Sequence, residues 1–198
     1  MNNKNVLIGM SGGVDSSVAA WLLQQSGYNC IGCTMKLWCG NAEENTRDAE
    51  AVARRMGIPF HVCDFQESFH EKVIGDFIRS YEEGKTPNPC IQCNKHLKFG
   101  AMVDKALELG AAFVATGHYA QIRRDEATGR YLLYKAADRA KDQTYFLYAL
   151  TQHQLSHTLF PLGSLTKEEA RTIAEKQGFI TARKKDSQDI CFVPGGDY

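Results

Sequence analysis

The sequence predicts an α/β fold: a parallel sheet with helices on both faces, followed by a β-hairpin and a helical extension. Two observations carry this. Short apolar runs of strand length alternate with helical stretches over the first two-thirds of the 198 residues, and that order implies parallel strands joined by right-handed crossovers. The pattern then changes, with two β-type runs flanking Asp125-Glu126-Ala127-Thr128-Gly129 as a hairpin.

Taken in order, Asn5–Met10 (NVLIGM) is the first strand and ends in Ser11-Gly12-Gly13. From Asp15 to Ser26, Val18, Ala19, Leu22 and Leu23 recur at helical spacing until Gly27 stops the pattern. A second apolar run, Cys30–Trp38, is followed by a charged helix over Thr46–Met56 and a strand over Phe60–Cys63. The next helix, Ser68–Glu83, leads into Thr86-Pro87-Asn88-Pro89, where two prolines forbid continuation. A helix over Lys98–Leu109 precedes the strand Ala112–Thr116. Gln121–Arg124 and Arg130–Lys135 form the hairpin, and Gln143–Leu150 reads as helical. Thr166-Lys167-Glu168-Glu169 is a capping-box start for a helix reaching Gln177, closed by Gly178.

Residues 1–150 are expected to form a catalytic nucleotide-binding domain with a hairpin insertion at 119–136. Residues 151–198 would begin a helical or adaptor region. Nothing at Gly195-Gly196-Asp197-Tyr198 terminates an element, so a fragment of a longer protein is expected.

With 43% hydrophobic and 23% charged residues, the composition is that of an ordinary globular domain able to bury a core without disulfides. No apolar run is long enough to cross a bilayer, and no basic-then-apolar signal opens the chain, so a cytoplasmic protein is expected. Charge balances at 23 against 23 and announces no nucleic-acid partner. The local clusters Arg123-Arg124, Arg139 with Lys141, and Arg183-Lys184-Lys185 read first as solvated surface. Seven cysteines (30, 33, 39, 63, 90, 93 and 191) in a reducing compartment point to metal or reactive-sulfur chemistry.

The most specific feature is Ser11-Gly12-Gly13-Val14-Asp15-Ser16-Ser17 between a buried strand and a helix. Two glycines let the backbone turn sharply and approach an anion, and the amides and dipole of the following helix attract it. Ser11, Ser16 and Ser17 can add hydroxyl donors, while Asp15 suits holding Mg²⁺ or capping the helix. Gly84-Lys85-Thr86 mimics the end of a Walker A loop, but Arg79 stands where its first glycine belongs and prolines follow, so the match is spurious.

Cys90 and Cys93 form a CxxC in a proline-restricted loop that opens onto a helix, with Lys95, His96 and Lys98 nearby. This setting predicts a low-pKa thiolate. Cys191, alone, reads as an ordinary semi-buried thiol. Cys30 and Cys33 sit in a strand, where i and i+3 point to opposite faces. With Cys63 they are read as small core residues, and Cys39 is left open.

Ser11–Ser17 resembles the SGGxDS signature of the PP-loop ATP pyrophosphatases, which cleave ATP between the α and β phosphates. Further segments extend the likeness: Pro87-Asn88-Pro89-x-x-x-Cys93-Asn94-x-x-x-Lys98-Phe99, Ala115-Thr116-Gly117-His118-Tyr119, Lys141-Asp142-Gln143-Thr144-Tyr145-Phe146-Leu147, and Ser187-x-x-Ile190-Cys191-Phe192. Together they resemble the bacterial tRNA-specific 2-thiouridylases, in that family's order and over the whole chain. The resemblance implies ATP-dependent 2-thiolation of the wobble uridine, position 34, of tRNAs for Lys, Glu and Gln. It implies Cys93 as nucleophile and Cys191 as persulfide carrier. Gly9, Met10, Ser11, Gly12, Gly13, Val14, Asp15, Ser16, Met35 and Gly117 would contact ATP. Asn88, Pro89 and Cys90 would face the target base, and His118, Lys141, Asp142 and Gln143 would approach the tRNA. A sulfur-donor protein or relay is implied as a partner, and a monomer is expected.

Two departures stand out: Cys90 follows Asn88-Pro89 where many members carry Asp, and the family continues into an adaptor and a β-barrel. Cys90 opens an alternative in which Cys90, Cys93 and Cys191 hold a [4Fe–4S] cluster whose fourth iron binds the transferred sulfide. Competing readings are another PP-loop synthetase, which has no use for the thiols, and a zinc-binding RNA module with Cys90, Cys93, His96 and Cys191 as ligands. Without the adaptor and barrel, ATP binding with weak tRNA affinity is expected.

Overall fold

A computed structural model describes residues 4–38, 42–184 and 190–193. Its centre is a five-stranded parallel sheet in the order β3-β2-β1-β4-β7, with a separate antiparallel hairpin β5-β6. The strands are β1 (Asn5–Gly9), β2 (Asn29–Lys36), β3 (Phe60–Asp64), β4 (Phe113–Ala115), β5 (Ala120–Arg124), β6 (Tyr131–Lys135) and β7 (Thr158–Leu159). In β1 the side chains of Val6, Leu7 and Ile8 are all fully buried, as expected of a central strand covered on both faces.

Val6 and Ile8 pack with α1 (Val14–Gln25), α2 (Ala42–Met56) and α6 (Lys167–Lys176), where Ala170 and Ala174 are buried. Leu7 packs on the other side with Met102, Val103 and Ala106 of the helix that ends at Glu108. Cys30 belongs to the first of these clusters and Cys33 to the second, so the opposite-face reading of the pair holds. The chain lays down β1, β2 and β3 to one side and then returns to place β4 on the other. The switch point between β1 and β4 opens the crevice where α/β sheets bind ligands.

α3 (residues 66–82) and α4 (residues 89–108) are each continuous, with a π-helical stretch inside: His70–Ile74 in α3 and Asn94–Ala101 in α4. α4 therefore begins at Pro89, not at Lys98, and the CxxC lies on helix rather than in a loop. Pro89 is a favourable first helical residue, and the Asn88 side chain caps the helix by accepting from the Cys90 amide at 3.1 Å.

Gln143–Leu150 forms only a short 3₁₀ turn at Thr144–Leu147. The Asp142 carboxylate accepts from Ala136 N at 2.8 Å and Thr144 Oγ1 at 2.7 Å, and these side-chain bonds override helix propensity. α5 (Gln152–Ser156) and β7 went unpredicted because two strand residues carry no readable period. α2 starts at Ala42 and α3 at Gln66, each earlier than expected. The predicted capping box is present, with Thr166 and Glu169 bonding each other's backbone. Cys39, Lys185, Ser187 and the Gly195–Tyr198 end lie outside the described residues. Among the described residues no helix is long and apolar enough to cross a membrane.

Candidate active site

The loop after β1 is shaped by backbone contacts. Met10 N donates to Cys33 O at 2.8 Å, fixing where the chain leaves the sheet. Gly12 has φ of +68°, and a Cβ there would lie 2.4 Å from Asn45 O of α2. No side chain caps α1 at Gly13, so its first-turn amides stay available to an anion. Gly117 follows β4 and runs against the start of α1, where a Cβ would sit 2.6 Å from Asp15 C and 2.7 Å from Ser16 N. Gly9, Met35 and Gly117 lie at carboxyl ends of β1, β2 and β4, so the ten predicted nucleotide residues gather at one end of the sheet. Met10 and Val14 have buried side chains and can offer only backbone.

Two sequence expectations change here. Ser17 is fully buried, its hydroxyl bonded to Gly13 O at 2.8 Å and Thr181 Oγ1 at 3.2 Å, and cannot serve an anion. Asp15 neither caps α1 nor presents a free carboxylate for Mg²⁺. Its oxygens accept from Lys167 Nζ at 2.8 and 2.7 Å, and Oδ1 also accepts from Tyr119 OH at 2.9 Å. In the sequence Lys167 marks only a helix start, and nothing there signals that it folds back onto the phosphate loop.

The thiols converge from two directions. Cys90 and Cys93 lie on one face of the first turns of α4, Cys90 exposed and Cys93 buried. Phe192 inserts edge-on against Phe69 and Phe77 of α3, with ring centroids 5.6 and 5.3 Å apart, and so brings Cys191 to the same place. Burial among Phe69, Val73, Ile74 and Leu97 pushes the Cys93 thiol up to about 11; Lys98 opposes this, while Cys191 and Cys90 add to it. Cys191 is also raised, by crowding first and Cys90 next, with Lys98 again opposing. At Cys93 the low-pKa thiolate expected of this motif is not found, because apolar packing outweighs Lys98. Among the described residues no three His, Cys, Asp or Glu side chains gather as a metal site. Cys90, Cys93 and Cys191 nonetheless lie near enough for Cys90 and Cys191 to act electrostatically on the Cys93 thiol.

The residues assigned to RNA are more mixed. Asn88, Pro89 and Cys90 stand at the start of α4 beside Cys93. The His118 ring packs on Phe99 and Phe160, and its Nδ1 lies 2.8 Å from Thr116 Oγ1. Burial, with Lys98 second, holds it well below the ordinary value, so it is neutral at pH 7. Asp142 and Gln143 build the turn itself, Gln143 Oε1 accepting from Tyr119 N at 2.9 Å. Lys141 lies on the same turn, its amide donating to Asp138 O at 3.2 Å. Tyr145 and Tyr148 next to them are 65% and 69% exposed. Asn94 Nδ2 donates to Phe146 O at 3.1 Å and ties that turn to the Cys93 helix.

A glycine loop at a sheet switch point, with two thiols near the same end, defines an α/β domain whose crevice is laid out to take a ligand at the carboxyl ends of its strands. The family model for the tRNA methyl transferase HUP domain matches residues 4–195, and the chain belongs to that family. It is 55% identical over 206 residues to the tRNA-specific 2-thiouridylase MnmA of Clostridioides difficile (strain 630), covering 99% of this chain and 57% of that protein. It is 49% identical over 209 residues to the MnmA of Clostridium perfringens (strain 13 / Type A), covering 100% of this chain and 58% of that one. The chain thus spans little more than half the length of these relatives. Among solved structures, a 4-thiouridine synthetase–RNA complex with bound ATP superposes with a TM-score of 0.62 at 17% identity, covering 94% of this chain and 44% of that one. The NMN synthetase of Francisella tularensis gives 0.58 at 16%, covering 94% and 67%. At such identities these two speak for the fold alone.

Proposed function

We propose that this chain is the ATP-using catalytic part of a tRNA 2-thiouridylase. One observation carries the reading: the segment around Phe192 brings Cys191 beside Cys93 and Lys98, at the sheet end that holds the phosphate loop. The 2-oxygen of uridine is a poor leaving group. Attack of that oxygen on the α-phosphate of ATP releases pyrophosphate and makes the oxygen part of a phosphate ester. Cys191 carries a persulfide received from a donor protein, and Cys93 attacks its inner sulfur, freeing hydrosulfide. The sulfide adds to C2 and AMP departs with the oxygen. A Cys93–Cys191 disulfide remains, and an external thiol reduces it.

The family description speaks of methyl transfer, whereas two thiols beside an ATP loop serve sulfur transfer, in keeping with the relatives' names. Mg²⁺ would accompany the triphosphate, with no ligand assigned to it here because Asp15 is held by Lys167. The proposed substrate is the wobble uridine of tRNAs for Lys, Glu and Gln, in the cytoplasm. Lys141 and the exposed Tyr145 and Tyr148 form a surface of cation and π faces suited to unpaired bases beside Cys93. The test uses full-length protein with tRNA and ATP: pyrophosphate release should require tRNA. Cys93→Ser and Cys191→Ser should abolish 2-thiouridine while leaving ATP binding intact. Undiminished thiolation in either variant contradicts the reading.

A further inference from the structure

Two of the cysteines that the proposed reaction leaves unused lie side by side. Cys33 of β2 and Cys63 of β3 lie on the α4 side of the sheet, buried with Leu7, Met102 and Val103. The Cys33 thiol donates to the Cys63 sulfur at 2.8 Å, much closer than ordinary packing of two thiols requires. Neither residue belongs to the Cys90–Cys93 motif, and the parallel register pairs Cys63 with Met35 rather than with Cys33.

The surroundings tie this pair to the nucleotide end of the sheet. The carbonyl of Cys33 accepts from Met10 N at 2.8 Å, and Thr34 Oγ1 donates to Met10 O at 2.6 Å, so the strand carrying Cys33 anchors the residue that opens the phosphate loop. Met35, two residues on, is the register partner of Cys63. A bond between these sulfurs would pull β2 against β3 just below both residues.

We propose that Cys33 and Cys63 are a redox-responsive pair that closes to a disulfide under peroxide and thereby weakens ATP binding. The nucleotide half of this rests on the reading of Met10 and Met35 above. The Cys63 thiolate attacks one peroxide oxygen, becoming a sulfenic acid as the other oxygen leaves as hydroxide. Cys33 then attacks that sulfur and expels water. In sum, two thiols and one hydrogen peroxide give one disulfide and two waters. Cys63 suits the first role: the hydrogen bond from Cys33 favours its thiolate against the opposing effect of burial, with Lys105 helping, while that same bond raises Cys33. Cys63 lies on β3, the edge strand of the sheet, and is 5% exposed, so a small oxidant reaches it from that open edge.

The experiment treats the reduced chain with hydrogen peroxide, alkylates remaining thiols in denaturant and maps peptides by mass spectrometry. ATP is titrated before oxidation, after it, and after re-reduction with dithiothreitol. The expected result is a linked peptide joining 33 and 63, lighter by two hydrogens, with ATP affinity about tenfold lower until dithiothreitol restores it. Repeating the titration in Cys93→Ser/Cys191→Ser should give the same fall, and Cys63→Ser should abolish it. Recovery of Cys33 and Cys63 as alkylated thiols while Cys90 or Cys191 oxidises would overturn the proposal, as would a disulfide with unchanged ATP affinity. If the reduced chain binds no ATP at all, the nucleotide reading fails separately, and the peptide map still decides the pair.

Discussion

Cys93 shows how one residue's surroundings set its chemistry. Held up at about 11 by burial, it is a protonated thiol at neutral pH, waiting for a neighbouring sulfur electrophile rather than standing as an exposed thiolate. Its alkylation by iodoacetamide, followed by peptide mapping, should be slow at pH 7 and rise with pH beyond the ordinary thiol range of about 8.5. Lys98→Met removes the cation that lowers this value, so the rise should move to still higher pH. A shift to lower pH would contradict the arrangement. The folded form keeps its proton longer than the unfolded form, so this group's stabilising share is intact below 9.0 and fades as pH climbs toward about 11. Lys167 is the other decisive residue. Its ammonium is 12% exposed and holds an Asp15 carboxylate that is 29% exposed. Lys167→Met leaves that carboxylate with the Tyr119 hydroxyl but without its cation and should cost roughly 1–3 kcal/mol, read as a lower urea midpoint, with weaker ATP binding alongside. The thiol motif was legible in the sequence, but its pKa was not, because the residues that bury Cys93 come from α3 and from Phe192.

At the scale of elements, helix starts and close backbone approaches do the positioning. Thr166 caps α6 and so aims Lys167 at the phosphate loop. Thr166→Ala should cost about 1 kcal/mol in thermal or urea unfolding and lower ATP affinity with it. The turn after β4 tolerates no side chain at 117, since the atoms a Cβ would meet are backbone of Asp15 and Ser16. Gly117→Ala should therefore reduce ATP binding by at least tenfold in calorimetric titration. Gly84→Ala, also strained by its φ of +73° but facing open space, should cost stability without touching ATP. Strand and helix existence was readable because apolar period and the glycine stops agree locally. Boundaries failed where a side-chain bond to nearby residues decided them: the Asn88 cap extends α4 back to Pro89, and the Asp142 bonds shorten the predicted helix after Gln143 to a single turn.

For the whole molecule, the sheet order collects residues from four distant stretches at one end: the loop after β1, the end of β2, the turn after β4 and the start of α4. The returning segment at Phe192 adds Cys191. The central claim is that this end thiolates uridine in tRNA. The most direct measurement is mass-spectrometric quantification of 2-thiouridine nucleosides in bulk tRNA from cells lacking the complete gene, complemented with wild type or Cys93→Ser. Loss of the thiolated wobble nucleosides, restored by wild type alone, is the predicted result; 2-thiouridine unchanged in the deletion strain, or restored equally by Cys93→Ser, would contradict the account.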